Sequence, residues 1–250
     1  MIVRFLLAAV IAGVIAGGLQ TLVQQARVTP LILEAEKYEG GAPRVHEHSN
    51  NLELDIASLG NAHESVLPKQ DGEVGHESEG AMLFGLDRLS GTLLANVVIG
   101  AAYALLLMAF SLISDRALTL KNALAWGALG WAVFHLLPSM GLAPELPGVP
   151  AADLHDRQIW WAATVLASAV SLYLLAIRSE PIAKVAGLTL MFAPHIFGAP
   201  QTADMVSNTP PALAAEFAVA SLSANLAFWI VVAFILAVLL ERRWPTRHVA

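Results

Sequence analysis

The chain has no cysteine among its 250 residues. Disulfides, thiolate zinc knuckles and CxxC redox chemistry are therefore excluded. Charge is scarce too: Asp, Glu, Lys and Arg make up 14% of the residues against 56% apolar ones, and mean hydropathy is +0.62. That is more apolar than a water-soluble domain needs to fill one core. Net charge is −6, from 20 acidic and 14 basic side chains. No Lys/Arg-rich block interleaves with aromatics, so nucleic acid has no electrostatic foothold. Enzyme signatures are missing as well. There is no GxxxxGK[ST] phosphate loop for ATP hydrolysis and no GxSxG nucleophile elbow, and HEH at His46 to His48 lacks the HExxH spacing of a zinc protease. The expectation is a non-enzymatic chain with no tightly bound cofactor.

What the sequence does hold is six charge-free windows, at 5–26, 89–114, 122–144, 158–177, 185–203 and 217–240. Each reaches the roughly 20 residues a helix needs to cross about 30 Å of hydrocarbon. The expected fold is all-α: one polytopic membrane domain of about six helices over residues 1–250, with membrane lipid as a partner and one long polar outer loop. The first window reads as a retained helix, with a secretory leader as the alternative. It carries Gly13 and Gly17 at GxxxG spacing, which permits close helix approach. The fifth window, interrupted by Pro194, Gly198 and Pro200, is the weakest, and a half-membrane hairpin is its alternative.

Lys and Arg accumulate on the cytoplasmic side of short loops. With six spans and the N-terminus inside, the inner side carries Arg4, Arg116, Lys121, Arg178, Lys184, Arg242, Arg243 and Arg247. The short outer loops hold only Arg157. Both termini are expected in the cytoplasm, and the chain in a bacterial inner membrane.

Counting inward from the charged residue at the outer end of each window, Gln20, Asn96, His135, Thr164, His195 and Asn225 lie seven to ten positions deep. At about 1.5 Å per residue that is roughly 10 to 15 Å below the outer surface. Asn, Gln and Thr in spans ordinarily serve helix packing. Ionisable groups there tend to face the bundle interior and mark pathways. His135 precedes Pro138 by three positions and His195 follows Pro194, so both sit where a helix bends and carbonyl oxygens become available. Met191, four residues before His195, shares its face and reads as core filling or a soft ligand.

The outer loop, 28–87, has a different composition. From Gln24 through Arg88 there are 12 acidic residues, five basic ones and four of the chain's eight histidines. His46, His48 and His76 lie beside Glu47 and Glu77, a mixture of imidazole and carboxylate that suits Co, Ni, Zn or Cu(II). A solvated tether is the plainer reading. Glu145, Asp153, His155 and Asp156 add acid and imidazole to the third-to-fourth connection, where Trp160 and Trp161 fit an interfacial aromatic belt.

Five stretches in fixed order carry a resemblance: TLVQQARVTPLILEAEKYE, LDRLSGTLLANVVIGAAYALLL, WGALGWAVFHLLPSMGLAPELPG, AADLHDRQIWWAAT and APHIFGAPQ. Together they resemble the CbtA family, the larger subunit of a proposed cobalt transporter. The resemblance implies Co2+ as the transported ion, an association with cobalamin biosynthesis, and a small single-span, His-rich partner, CbtB. It matches the family's FHLLP histidine to His135, the PELPG carboxylate to Glu145, the ADL carboxylate to Asp153 and the PH histidine to His195. Ala143 stands where related sequences often have proline, and the family is usually described with one span fewer than counted above. The leading expectation is a divalent-metal uptake subunit with a path from the outer loop past Glu145 and Asp153 to His135 and His195, supported by Asn96 and Asn225. A non-transporting sensing or assembly subunit is the alternative, and a bis-His haem electron carrier a third reading.

Overall fold

Helix boundaries follow capping and proline chemistry rather than the loss of charge. The computed structural model describes residues 2–39, 87–202 and 206–243. In it α1 (Ile2–Val23) runs through a π-helical turn (Gln24–Val28) directly into α2 (Thr29–Glu39). After α3 (Arg88–Ile113), a second continuous rod consists of α4 (Ala123–Trp131), a π turn (Ala132–Leu136) and α5 (Leu137–Ser139). α6 (Leu154–Ala176), α7 (Pro181–Phe197) and α8 (Pro211–Arg243) complete six rods, with no strand among the described residues.

Asp87 caps α3 by accepting from the Ser90 N–H at 3.0 Å, and Asp153 caps α6 by accepting from the His155 N–H at 2.9 Å. The Ser90 hydroxyl, and then its backbone N–H, hold the Asp87 carboxyl below the usual carboxylate range. That cap is complete above the ordinary Asp pKa and is lost as pH falls through the lowered one. Pro181 and Pro211 open α7 and α8, where a missing N–H costs nothing.

Both π turns are written in the sequence by a proline. Pro30 follows the first turn by two residues and Pro138 follows the second by two. Neither can donate to the carbonyl four residues back, Ala26 and Phe134 respectively, and the ring crowds that turn. Widening to i→i+5 bonding lets each rod continue: Thr29 donates to Gln24, and Leu137 to Ala132.

Four rods are long and apolar enough to cross a membrane: Phe5–Tyr38, Arg88–Ile113, Leu154–Ala176 and Pro211–Glu241. The chain is an all-α membrane bundle. The other two apolar helices, Ala123–Ser139 and Pro181–Phe197, are shorter, at most 17 residues, or about 25 Å. The fifth window reaches Ala203, but α7 ends at Phe197 because Gly198 takes φ +83°, a left-handed conformation that terminates helices. The first window stops at the charge of Arg27, whereas the helix carries on to Glu39.

The three most extensive helix pairs are antiparallel. α1 lies along α3, pairing Gly13 with Ala101 and Gly17 with Val97. α4 lies along α8, with Gly127 against Ile230 and Gly130 against Trp229, and α6 lies along α7, with Gly187 against Leu174 and Leu175. The main core joins Ala8, Ala9, Ala12 and Ala16 of α1 to Leu107 and Met108 of α3 and to Phe228, Val232, Ala233 and Leu236 of α8. In lipid such packing replaces hydrophobic drive with dispersion contact, which rewards small residues. A second cluster, Val28, Ala35, Leu146, Phe217 and Ala224, ties α2 to α8 and to the connection after α5. The α6–α7 pair meets the rest chiefly through the second π turn and α5.

Candidate functional site

The second π turn carries His135 into the bundle. Its Nε2 lies 3.1 Å from the Tyr103 hydroxyl of α3 and accepts from that phenol when the ring proton is on Nδ1. Tyr103 in turn stacks on Trp229 of α8, with ring centroids 4.0 Å apart and planes 20° off parallel. Phe134 stacks on the same indole at 5.4 Å, and His135 meets it edge-on at 6.5 Å. The aromatic wall leaves the imidazole half-buried. Next to it the helix offers oxygen. Pro138 gives Phe134's carbonyl no α-helical donor, and Leu137 donates to Ala132 rather than to Val133. The polar pair brought together here is thus an imidazole nitrogen and a phenol oxygen, 3.1 Å apart.

His195 sits elsewhere, against Trp160 of α6, with ring centroids 5.8 Å apart and planes 69° to one another. The two imidazoles thus have separate partners. His195 Nε2, Trp160 Nε1 and Arg157 Nε are all buried without a protein hydrogen-bond partner. One turn before Trp160, Arg157 pairs with Glu145 at 2.8 Å. The Glu145 carboxylate is therefore held by a cation of the same chain. Asp153 spends its carboxylate on the α6 cap, and its neighbour His155 is exposed.

The polar residues counted to one depth divide into three kinds. Asn96 donates across helices to Thr21 at 3.0 Å and to Gln24 at 2.7 Å, and Thr21 bonds the Gly17 carbonyl. Gln20 is buried beside them with its amide nitrogen unpaired. Thr164 and Asn225 donate to carbonyls four residues back on their own helices, Trp160 and Ser221. His135 and His195 take the aromatic partners given above. Met191 is half-buried on α7. Among the described residues no group of three His, Asp or Glu side chains comes together to hold a metal. His46, His48 and His76 lie outside the described residues.

A family model described as "Probable cobalt transporter subunit (CbtA)" matches residues 2–241. The chain belongs to the CbtA family. Neither a curated protein nor a solved structure matches it. Membership makes this CbtA chain a transporter subunit and agrees with the resemblance read from its five stretches.

Counting depth in this CbtA chain picks out His135 among six residues but passes over Tyr103, Trp229 and Arg157. A signal for the first two was present: Tyr103 lies seven residues after Asn96, and Trp229 four after Asn225, so each shares its helix face with a polar residue already picked out. Arg157 was read as loop charge, although it stands one turn before Trp160 on α6.

Proposed function

We propose that this chain is the membrane-embedded subunit of a divalent transition-metal importer, with cobalt its first substrate, and that the ion crosses beside His135. One observation carries the reading: a half-buried imidazole beside a phenol, on a π turn that a proline follows. Broken helices near mid-membrane are a recurrent way to build ion sites. Imidazole with oxygen ligands favours Co, Ni and Zn over Ca and Mg.

In this reading the acidic outer loop, with His46, His48 and His76, raises the local cation concentration. Glu145 and Asp153 form the rim, and Arg157 yields Glu145 to an arriving ion. His195 and Gln20 lie along the descent, with Asn96, Thr164 and Asn225 bracing it. All six rods cross the inner membrane of a bacterium, the two short ones with local thinning of the bilayer, and both termini lie in the cytoplasm. The chain carries no phosphate loop, so flux follows an ion gradient or the membrane potential, or is driven by another subunit. The partner is a small single-span, His-rich CbtB-like subunit.

The test is uptake of Co, Ni and Zn by cells lacking other importers, with the chain expressed alone and beside that partner. Cobalt should accumulate above zinc, and more with the partner than without it. Cobalt accumulation no greater than in cells without the chain defeats the proposal.

A further inference from the structure

Where α6 parts from α3 and α4, toward the end of the bundle opposite Glu145, a cleft of about 130 Å³ opens. Leu107, Phe110, Trp126, Val133, Leu172 and Tyr173 are among its walls. The lining is almost wholly apolar, so it offers nothing to replace the hydration shell of a divalent ion, and it is not a continuation of the His135 path. It is comparable in size to engineered cavities of ~150 Å³ that stay dry and take up a small hydrocarbon. In a bilayer the hydrocarbon at hand is an acyl chain.

A tail alone gains little by leaving lipid for an apolar wall, so retention must come from the headgroup. The connector between α3 and α4 leaves from Ser114, which lines the cleft, and leads into α4, whose Trp126 lines it again. Within it Arg116 and Lys121 are exposed, and among the described residues neither enters an ion pair. Arg178 follows the lining residue Ile177 and pairs with Glu180. Antiparallel packing brings the start of α1, the 114–122 connector, the 177–180 connector and the end of α8 to this one end, where Leu120 donates to Glu241. Among the described residues this end carries the basic positions Arg4, Arg116, Lys121, Arg178, Lys184, Arg242 and Arg243 against three acidic ones, Asp115, Glu180 and Glu241.

We infer that the cleft holds an acyl chain of an anionic phospholipid whose phosphate rests on Arg116 and Lys121, so that a lipid fills the gap between the α6–α7 pair and the rest of the bundle. The inference is independent of what the bundle transports.

The experiment uses the purified full chain in detergent with phosphatidylglycerol or phosphatidylcholine of identical tails, counting retained lipids by native mass spectrometry. Wild type should retain one phosphatidylglycerol over phosphatidylcholine by roughly tenfold. The R116Q/K121Q variant should lose that preference, and Ala169→Phe, which fills the cleft, should lose the retained lipid of either kind. Should Ala169→Phe fail to fold, the charge variant decides alone, because both of its changes are on exposed side chains. Equal retention of the two lipids by wild type, or an unchanged preference in R116Q/K121Q, overturns the inference. So does a dimer that Ala169→Phe dissociates, which would seat a second copy in the cleft.

Discussion

Leucine in place of Gly13 should prevent the bundle from assembling. A Cβ at position 13 would lie 2.3 Å from the Ala101 backbone nitrogen and 2.6 Å from its Cα. Backbone cannot rotate aside as a side chain does, so α1 and α3 must separate. The same holds one turn on, where a Cβ on Gly17 would meet Val97 nitrogen at 2.6 Å. This pair is the most extensive helix contact in the bundle and carries Ala8, Ala9, Ala12 and Ala16 into the main core. Overpacking of this kind costs about 1–3 kcal/mol when the surroundings yield and more when they do not. Gly18 is the internal control, because among the described residues nothing lies within 4 Å of a Cβ there. Size-exclusion in detergent should show Gly13→Leu aggregated or absent and Gly18→Ala indistinguishable from wild type. A monodisperse, protease-resistant Gly13→Leu protein would mean that the helices do not cross at this point.

Truncating Trp229 should be nearly as damaging. The indole is 1% exposed, stacked on Tyr103 and Phe134, and so close to Gly130 that a Cβ there would stand 2.3 Å from the ring. Gly130 is thus the hollow that admits the ring. Large aromatic-to-alanine truncations in cores cost about 3–5 kcal/mol. Trp229→Ala also removes the surface that fixes Tyr103, and with it the phenol that holds His135. The thermal unfolding temperature of the purified chain should fall by several degrees or more for Trp229→Ala, with Trp229→Phe recovering much of the loss. An unchanged midpoint in Trp229→Ala would contradict the stacking.

These two sites show where sequence and structure part. An all-α membrane bundle is legible in charge-free runs, because hydropathy and charge decide what lies in lipid. Helix ends are not legible that way. Asp87 and Asp153 start α3 and α6 as caps, Pro211 starts α8 inside a stretch that charge counting left as loop, and Gly198 stops α7 before its window runs out. The GxxxG pair in α1 was a weak signal by itself, and what gives it force is the facing Val97 and Ala101.

The site was legible in depth but not in direction. Counting residues from a charged end ranks His135 and Asn225 alike, yet His135 meets a phenol on α3 while Asn225 donates to its own helix. Rotation about the helix axis is set by neighbours, and in lipid small residues such as Gly127 and Gly130 decide which neighbours come close. Pro138 was the better guide. It marked a bend, and the π turn before it turns His135 toward Tyr103.

The central claim is that metal crosses beside His135. Cobalt accumulation in cells lacking other importers, measured for wild type and His135→Ala at equal membrane abundance and with the small partner present, tests it most directly. Uptake by His135→Ala should fall to the level of cells without the chain. Uptake equal to wild type from a folded His135→Ala protein would place the ion's route elsewhere.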